Sequence, residues 1–105
     1  MNLWLDDVRE PPITYSWATT VENLIDLVER SEKNYKKTGS DFWKIRFISL
    51  DNDLGENETE GWKFLEWVEQ NRPKNDWTFL IHSQNPVARE RMKDIIEHNG
   101  WRIWY

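Results

Sequence analysis

The sequence predicts an α/β fold built on a parallel sheet, and two features of the chain support this prediction. Three short, continuous apolar runs, "LWL", "FISL" and "TFLI", occupy residues 3–5, 47–50 and 78–81. Such runs are expected of central strands that are buried on both faces. Segments with helical spacing of apolar residues lie between and after the runs. Strands that alternate with helices form parallel sheets through right-handed crossovers.

Three helices are predicted, near residues 20–31, 60–71 and 86–99. Thr19 and Glu22 have the spacing of a capping box, which marks the start of the first helix. The second helix ends before Pro73, because proline lacks the backbone donor that a helix interior needs. The third begins at Pro86, a favoured first helical position, and ends at Gly100.

The remaining segments are predicted to be a loop and a last strand. Residues 32–44, "EKNYKKTGSDFWK", are polar, contain one glycine and are predicted to form the one long loop. "WRIWY", at residues 101–105, is predicted to be the closing strand.

Length and composition restrict the classes of protein that fit. The chain of 105 residues is expected to form one domain over residues 1–105. Its net charge of −5 gives no broad basic face, which argues against binding of double-stranded DNA. There is no apolar run of the ~18–20 residues that a membrane span requires, and there is no cysteine for a disulfide or a thiolate metal site. We therefore expect a cytoplasmic protein without a membrane partner.

Polar side chains follow each of the three apolar runs. They are Asp6 and Asp7, then Asp51 and Asp53, then His82 and Ser83. In parallel sheets ligands bind outside the carboxyl ends of the strands, where these groups would meet. Four carboxylates placed together repel one another, so either their pKa values rise or a cation lies among them. Oxygen ligands favour Mg²⁺, and Mn²⁺ or Ca²⁺ stay open. Each aspartate could instead be a turn former or a helix cap.

Other polar and aromatic residues near these positions are candidates for binding a phosphate or a base. Arg9 could clamp a phosphate, or it could form a salt bridge with Asp51 or Asp53. Asn85 and Arg89 lie at the start of the third helix, where free amides attract anions. Trp17, beside the polar "TYS", is the candidate for a wall against a base. The other seven tryptophans are expected to pack in the core or against the sheet: Trp4, Trp43, Trp62, Trp67, Trp77, Trp101 and Trp104.

An acidic pair after the first strand, an aspartate after a central strand and a serine after the next resemble the receiver domains of response regulators. That resemblance is partial, because receivers carry a lysine after the fifth strand and this sequence has none beyond Lys93. The motifs "LWLDDVREPP", "ISLDNDLG" and "IHSQNPVARERM", with the tryptophan of "SWATTVE", closely resemble the cyclic-phosphate processing receiver domains. They span residues 3–92.

This resemblance implies a flavodoxin-like parallel sheet of five strands in the order 2-1-3-4-5, with the first helix reduced or absent. The second strand and the helix after it would lie in "TYSWATTVENLIDLVE". The implied activity is metal-assisted hydrolysis of cyclic phosphates on RNA ends or nucleotides. Relatives often have histidine at the position of Asn52 and glycine at that of Ala88. If that histidine is a catalytic group in the family, this chain would bind its ligand without turning it over.

Site roles follow from the resemblance position by position. The implied metal ligands are Asp6, Asp7, Asp51 and Asp53. The implied catalytic residues are His82, Asp51 and Ser83, with His82 exchanging the proton. The predicted phosphate or nucleotide contacts are Arg9 and Asn85, which match the family's motif, together with Asn52, Arg89 and Trp17.

Two other functions stay open from the sequence. One is a module that binds a cyclic nucleotide without turning it over, and the other is a receiver that accepts phosphate on Asp51. The partner is expected to be a cyclic-phosphate nucleotide or an RNA end, and the protein is expected to be a monomer or a weak dimer.

Overall fold

The computed structural model describes residues 1–104 and shows a five-stranded parallel sheet with three α-helices. The strands are β1 (Asn2–Leu5), β2 (Tyr15–Ala18), β3 (Phe47–Leu50), β4 (Thr78–Ile81) and β5 (Arg102–Ile103). The helices are α1 (Val21–Thr38), α2 (Trp62–Asn71) and α3 (Pro86–His98), with a short 3₁₀ turn at Asp41–Trp43. All four strand pairings are parallel and the order is β2-β1-β3-β4-β5. The predicted fold is confirmed.

One face of the sheet carries the hydrophobic core. The register aligns Leu3 with Ile48 and Ile48 with Phe79, and all three side chains are fully buried. Side chains two residues further along a strand point to the same face, so Leu5 and Leu50 continue this layer. The helices contribute the other half of the core, with buried side chains that include Leu24, Val28, Phe64, Leu65, Val68, Met92 and Ile96.

The opposite face of the sheet carries a different set of side chains. Trp4 and Ser49 are register partners there. Residues 6–14 join β1 to β2 without a helix, which confirms the predicted loss of the first helix. The connection is fixed to the sheet by Trp4, whose indole N–H donates to the carbonyl oxygen of Arg9 at 2.8 Å.

The prediction of one long loop over residues 32–44 was wrong, because α1 continues to Thr38. Helix formation propagates once it has started, so a polar, solvent-facing extension needs no apolar residues of its own. The helix ends at Gly39, which has a left-handed φ of 68° and donates its N–H to the carbonyl oxygen of Tyr35. Glycine adopts this conformation at little cost.

Several predicted boundaries shift by one or two residues. The N-cap of α1 is Thr20 rather than Thr19, since the Thr20 hydroxyl accepts the N–H of Asn23. Helix α2 begins at Trp62. Strand β5 has two residues within the predicted closing strand, whose last residue, Tyr105, lies outside the described residues.

Within residues 1–104, none of the helices is long and apolar enough to cross a bilayer.

Candidate functional site

An open cavity of about 650 Å³ lies at the carboxyl ends of the central strands. Its lining residues come from the segments that follow β1, β3 and β4: Asp6, Asp7, Val8, Arg9, Asp51, Asp53, Gly55, His82, Gln84 and Asn85. The structure therefore brings together most of the predicted site residues at the predicted edge of the sheet. These segments are far apart in the sequence but lie together in the structure, because parallel strands end side by side at one edge of the sheet.

Asp6 is the most firmly held acidic residue in the cavity. One of its oxygens, Oδ1, accepts the backbone N–H groups of Val8 at 2.9 Å and Arg9 at 2.8 Å. The other, Oδ2, lies 3.0 Å from Nε2 of His82. Burial by itself would raise the pKa of Asp6, but the two amides and His82 favour the carboxylate more strongly and lower the pKa below its ordinary value.

His82 lines the cavity, and both of its ring nitrogens have hydrogen-bond partners inside the protein. Its Nδ1 is 2.8 Å from the hydroxyl oxygen of Ser49, and its Nε2 faces Asp6. The ring stacks on the indole of Trp4, with centroids 3.9 Å apart and planes within 6°. Burial lowers the pKa of His82, although the nearby carboxylate of Asp6 opposes this shift. The neutral imidazole is therefore favoured, with its Nε2–H donating to the carboxylate.

Asp6, Asp7 and Asp51 form an acidic cluster in which one ligand oxygen from each lies within 4.8 Å of the others. The pKa of Asp51 is raised, first by burial and then by the negative charges of Asp6, Asp53 and Asp7. The N–H of Asn52 donates to Asp51 at 2.8 Å and offsets only part of this shift. Such a set of hard oxygen donors with unbalanced negative charge could hold a divalent cation.

Two glycines shape the segment that carries Asp51. Gly61, just before α2, donates its N–H to the carbonyl oxygen of Asn52 at 2.8 Å. A Cβ at Gly61 would lie 1.9 Å from the carbonyl oxygen of Asp51, so only glycine lets α2 start against the end of β3. Gly55 has a φ of 111°, and a Cβ there would lie 3.5 Å from Oδ2 of Asp7.

Asp53 lines the cavity, but it lies outside the three-residue acidic cluster. Its two oxygens accept amide hydrogens from Asn52 at 3.2 Å and Asn85 at 3.4 Å. Asn52 was predicted to contact the ligand, but its side chain is buried and its oxygen accepts the N–H of Trp62 at the start of α2. Asn52 thus joins β3 to α2, and Asn85 faces the cavity.

Of the three site residues predicted near the start of α3, Asn85 lines the cavity, whereas Ser83 and Arg89 do not. Asn85 is the N-cap, and its oxygen accepts the N–H groups of Val87 and Ala88. Ser83, predicted to be catalytic, is buried and its hydroxyl accepts the N–H of Asn85 at 3.2 Å. Arg89, predicted to bind phosphate, instead donates to the carbonyl oxygens of Ile81 and Ser83 and lines a separate depression. Neither Ser83 nor Arg89 is among the described residues that line the cavity, because their polar groups complete the connection from β4 to α3.

Arg9 and Trp17 flank the cavity differently. Arg9 is exposed and its side chain lies at the lining, where it is the single arginine or lysine among the described lining residues. Trp17 is 42% exposed, and its indole N–H donates to the backbone oxygen of Asp6 at 2.7 Å. Its ring lines a neighbouring depression beside the start of α1, so it borders the site and does not form its wall.

Sequence reasoning missed Trp4 and Ser49 as parts of the site. Trp4 was predicted to be a packing residue, and Ser49 was counted within an apolar run. The signal that could have identified them is a serine inside "FISL" together with strand alternation. Trp4, Ser49 and His82 share one sheet face, because Ser49 pairs with Leu80 and His82 lies two residues beyond it.

The strand order and the acidic cluster at the strand ends define a receiver-like domain. The chain belongs to the family of cyclic-phosphate processing receiver domains, whose family model matches residues 1–98. Searches of curated proteins and of solved structures gave no significant match.

Proposed function

We propose that this domain is a metal-dependent hydrolase that opens cyclic phosphates on nucleotides or RNA ends. The observation that carries the proposal is the acidic cluster of Asp6, Asp7 and Asp51 at the end of a receiver-like sheet. The membership of the chain in a family named for cyclic-phosphate processing supports the choice of substrate.

The acidic cluster fits a divalent cation, for which Mg²⁺ is the first choice and Mn²⁺ or Ca²⁺ are alternatives. Such a cation, when bound, would neutralise phosphate charge and polarise a phosphoryl oxygen. Asp6 is already oriented by three donors, so it would bind with little reorganisation. Asp51 would gain most from the added positive charge, because its carboxylate is destabilised by its neighbours.

Arg9 and Asn85 are suited to the phosphate side of the site. Both line the cavity, and each offers N–H donors to an anion that would otherwise face carboxylates. Hydrolysis joins a water oxygen to phosphorus and breaks one ring P–O bond, and the departing ring oxygen takes up a proton. The product is a phosphomonoester.

The arrangement of His82 favours an orienting role over proton transfer. In the neutral ring Nε2–H donates to Asp6 and Nδ1 accepts from Ser49, so neither nitrogen is available to a substrate without breaking an internal bond. We therefore expect His82→Ala to weaken cation binding as well as turnover. Its predicted role as proton carrier remains a prediction.

A second candidate is a binding module that retains a cyclic nucleotide unchanged. The internal engagement of His82 favours it, since the most obvious acid–base group is already committed. A third candidate, a phosphoacceptor receiver, would place the phosphoryl group on Asp51.

The test is a screen of 2′,3′-cyclic and 3′,5′-cyclic nucleotides with Mg²⁺, with Mn²⁺ and with chelator. We expect cation-dependent conversion to a phosphomonoester, measured by phosphorus NMR or chromatography. Asp51→Asn should lower the rate by roughly 10²-fold or more, and excess Mg²⁺ should restore part of it. Asp94→Asn, at an exposed position on α3, is the matched control and should leave the rate unchanged.

Each alternative has its own signature. Tight binding of a cyclic nucleotide that is released unchanged under Mg²⁺ and Mn²⁺ would replace the hydrolase with the binding module. Labelling by acetyl phosphate that is lost in Asp51→Asn would instead establish a phosphoacceptor.

A further inference from the structure

Three side chains form a continuous hydrogen-bonded row that leads from the protein interior to the cavity. Ser49 lies 2.8 Å from Nδ1 of His82, and Nε2 of the same ring lies 3.0 Å from Oδ2 of Asp6. Ser49 is 2% exposed and does not line the cavity. Its hydroxyl therefore contacts the site only through the imidazole.

The chemistry of the three groups fixes the direction of these bonds. The Asp6 carboxylate can only accept, so Nε2 of His82 must carry the hydrogen. In the neutral ring, the Nδ1 lone pair then accepts the hydroxyl hydrogen of Ser49. The other tautomer would direct the Nε2 lone pair at a negative charge, and the Ser49 hydroxyl could no longer donate to the ring.

The plane of the imidazole is fixed as well. Trp4 stacks on it at 3.9 Å, and Trp4 is itself held by its bond to the carbonyl oxygen of Arg9. The ring can still slide or flip within that plane, and the hydroxyl of Ser49 selects one orientation. Side chains that orient a ligand in this way strongly affect metal affinity.

We propose that Ser49 is a positioning residue of the cation site. Its hydroxyl sets the tautomer and orientation of His82, and His82 holds the Asp6 carboxylate in place for the cation. That a cation binds at Asp6 rests on the proposed function. The tautomer and the orientation of the His82 ring do not depend on it.

The first test is nitrogen-15 NMR of the imidazole rings in the metal-free wild-type protein. We expect His82 to show the hydrogen on Nε2 and none on Nδ1. His98, the other histidine of the chain, is exposed at the end of α3 and serves as an internal reference. A wild-type His82 with its hydrogen on Nδ1 would overturn the proposal, whatever the variants show.

The second test compares Ser49→Ala with Ser31→Ala in titrations with Mn²⁺ followed by paramagnetic relaxation. Ser31 is the matched control, because its hydroxyl is as buried as that of Ser49 and bonds the carbonyl oxygen of Leu27 far from the cavity. We expect Ser49→Ala to disturb the tautomer of His82 and to weaken Mn²⁺ binding roughly tenfold. Ser31→Ala should change neither quantity.

The results separate the failure of this inference from that of the proposed function. If the wild type binds Mn²⁺ and Ser49→Ala binds it equally well, the positioning role is wrong and the cation site stands. A wild type with the expected tautomer but no affinity for Mn²⁺ or Mg²⁺ would overturn both the positioning role and the metal-dependent hydrolase.

Discussion

Asp6 and Asp51 belong to one acidic cluster, yet their surroundings shift their pKa values in opposite directions. Both are penalised by burial, but Asp6 receives two backbone N–H groups and a bond from His82. Asp51 receives one backbone N–H, from Asn52, and faces three other carboxylates. The cluster therefore combines an ionised, oriented carboxylate with one whose charge is poorly compensated. This difference matches a site in which a cation completes the electrostatic balance.

We predict that Asp51→Asn stabilises the metal-free protein. The pKa of Asp51 is higher in the folded state than its ordinary value of 3.8, so the folded state binds the proton more tightly than the unfolded state does. This difference stabilises the fold, and its contribution is fully present below pH 3.8. That contribution is lost as the pH rises through the folded pKa. Asparagine stays neutral at every pH, so the variant should have a larger free energy of unfolding than the wild type at neutral pH. Chemical denaturation in the presence of chelator measures the gain.

The comparison with Asp94→Asn separates a local effect from a change in net charge, because both variants remove one negative charge. Asp94→Asn should leave the free energy of unfolding nearly unchanged. Added Mg²⁺ should make the wild type more stable than Asp51→Asn, because the cation binds the wild type more tightly and stabilises it more. If Asp51→Asn is less stable than the wild type in chelator, burial and the neighbouring carboxylates do not destabilise the charged form of Asp51.

The connections between strands and helices place the site residues as much as the strands do. Helix α2 starts against the end of β3 through Gly61, and α3 starts at the cap Asn85 beside Asp53. The polar groups of Asn52, Ser83 and Arg89 are used in these connections. Residues near the cavity in sequence therefore serve two purposes, and only some of them face a ligand.

We predict that Gly61→Ala damages both the fold and the site. The new Cβ would overlap the carbonyl oxygen of Asp51, so α2 or the end of β3 must move. Overpacking of this kind costs about 1–3 kcal/mol, and a displaced Asp51 should weaken Mg²⁺ binding roughly tenfold. Denaturation curves and calorimetric titration with Mg²⁺ measure the two effects.

Gly39→Ala is the control, because it should lower the stability of the protein at a position far from the site. Gly39 has a left-handed φ of 68° with open space around its Cβ position, so alanine there costs about 1–2 kcal/mol through the backbone alone. Its Mg²⁺ affinity should equal that of wild type. Equal affinities in Gly61→Ala and wild type would mean that the contact between α2 and β3 does not set the position of Asp51.

The apolar runs and the polar residues after them made the strand order and the edge of the site predictable. Alternation of short runs with helical spacing is a local signal, and parallel pairing brings the strand ends together whatever the side chains are. The roles of Ser83 and Arg89 were not predictable, because they depend on which carbonyl or amide lies within reach after folding. The length of α1 was missed because residues 32–38 carry no apolar stripe of the kind used to find helices.

Residues 1–104 form two layers, with the helices packed on one face of the sheet. Residues 6–14 replace a helix between β1 and β2, and Trp4 ties this segment to the other face. The cavity lies where this segment meets the ends of β1, β3 and β4. A cation bound to Asp6 and Asp51 would therefore link two adjacent central strands to the segment that replaces the helix.

We predict that Mg²⁺ slows amide hydrogen exchange in a defined pattern. The amide of Ile48, buried in the central strand β3, is expected to exchange only by global unfolding. Its exchange should slow by about 100-fold at a Mg²⁺ concentration 100 times the Kd. The N–H groups of Val8 and Arg9, which donate to Asp6, should also slow, because the cation holds their segment. The last turn of α1, near Lys36, opens by fraying and should not respond.

Asp6→Asn provides the control for this exchange experiment, because it removes the ligand charge and keeps an oxygen that can accept the N–H groups of Val8 and Arg9. Its exchange rates should not depend on Mg²⁺. Equal slowing near Lys36 and at Val8 and Arg9 would indicate a diffuse salt effect, since fraying at the far end of α1 does not break the acidic cluster. If exchange slows in β3 but not at Val8 and Arg9, the cation binds without Asp6. The cation site would then consist of Asp7 and Asp51 alone.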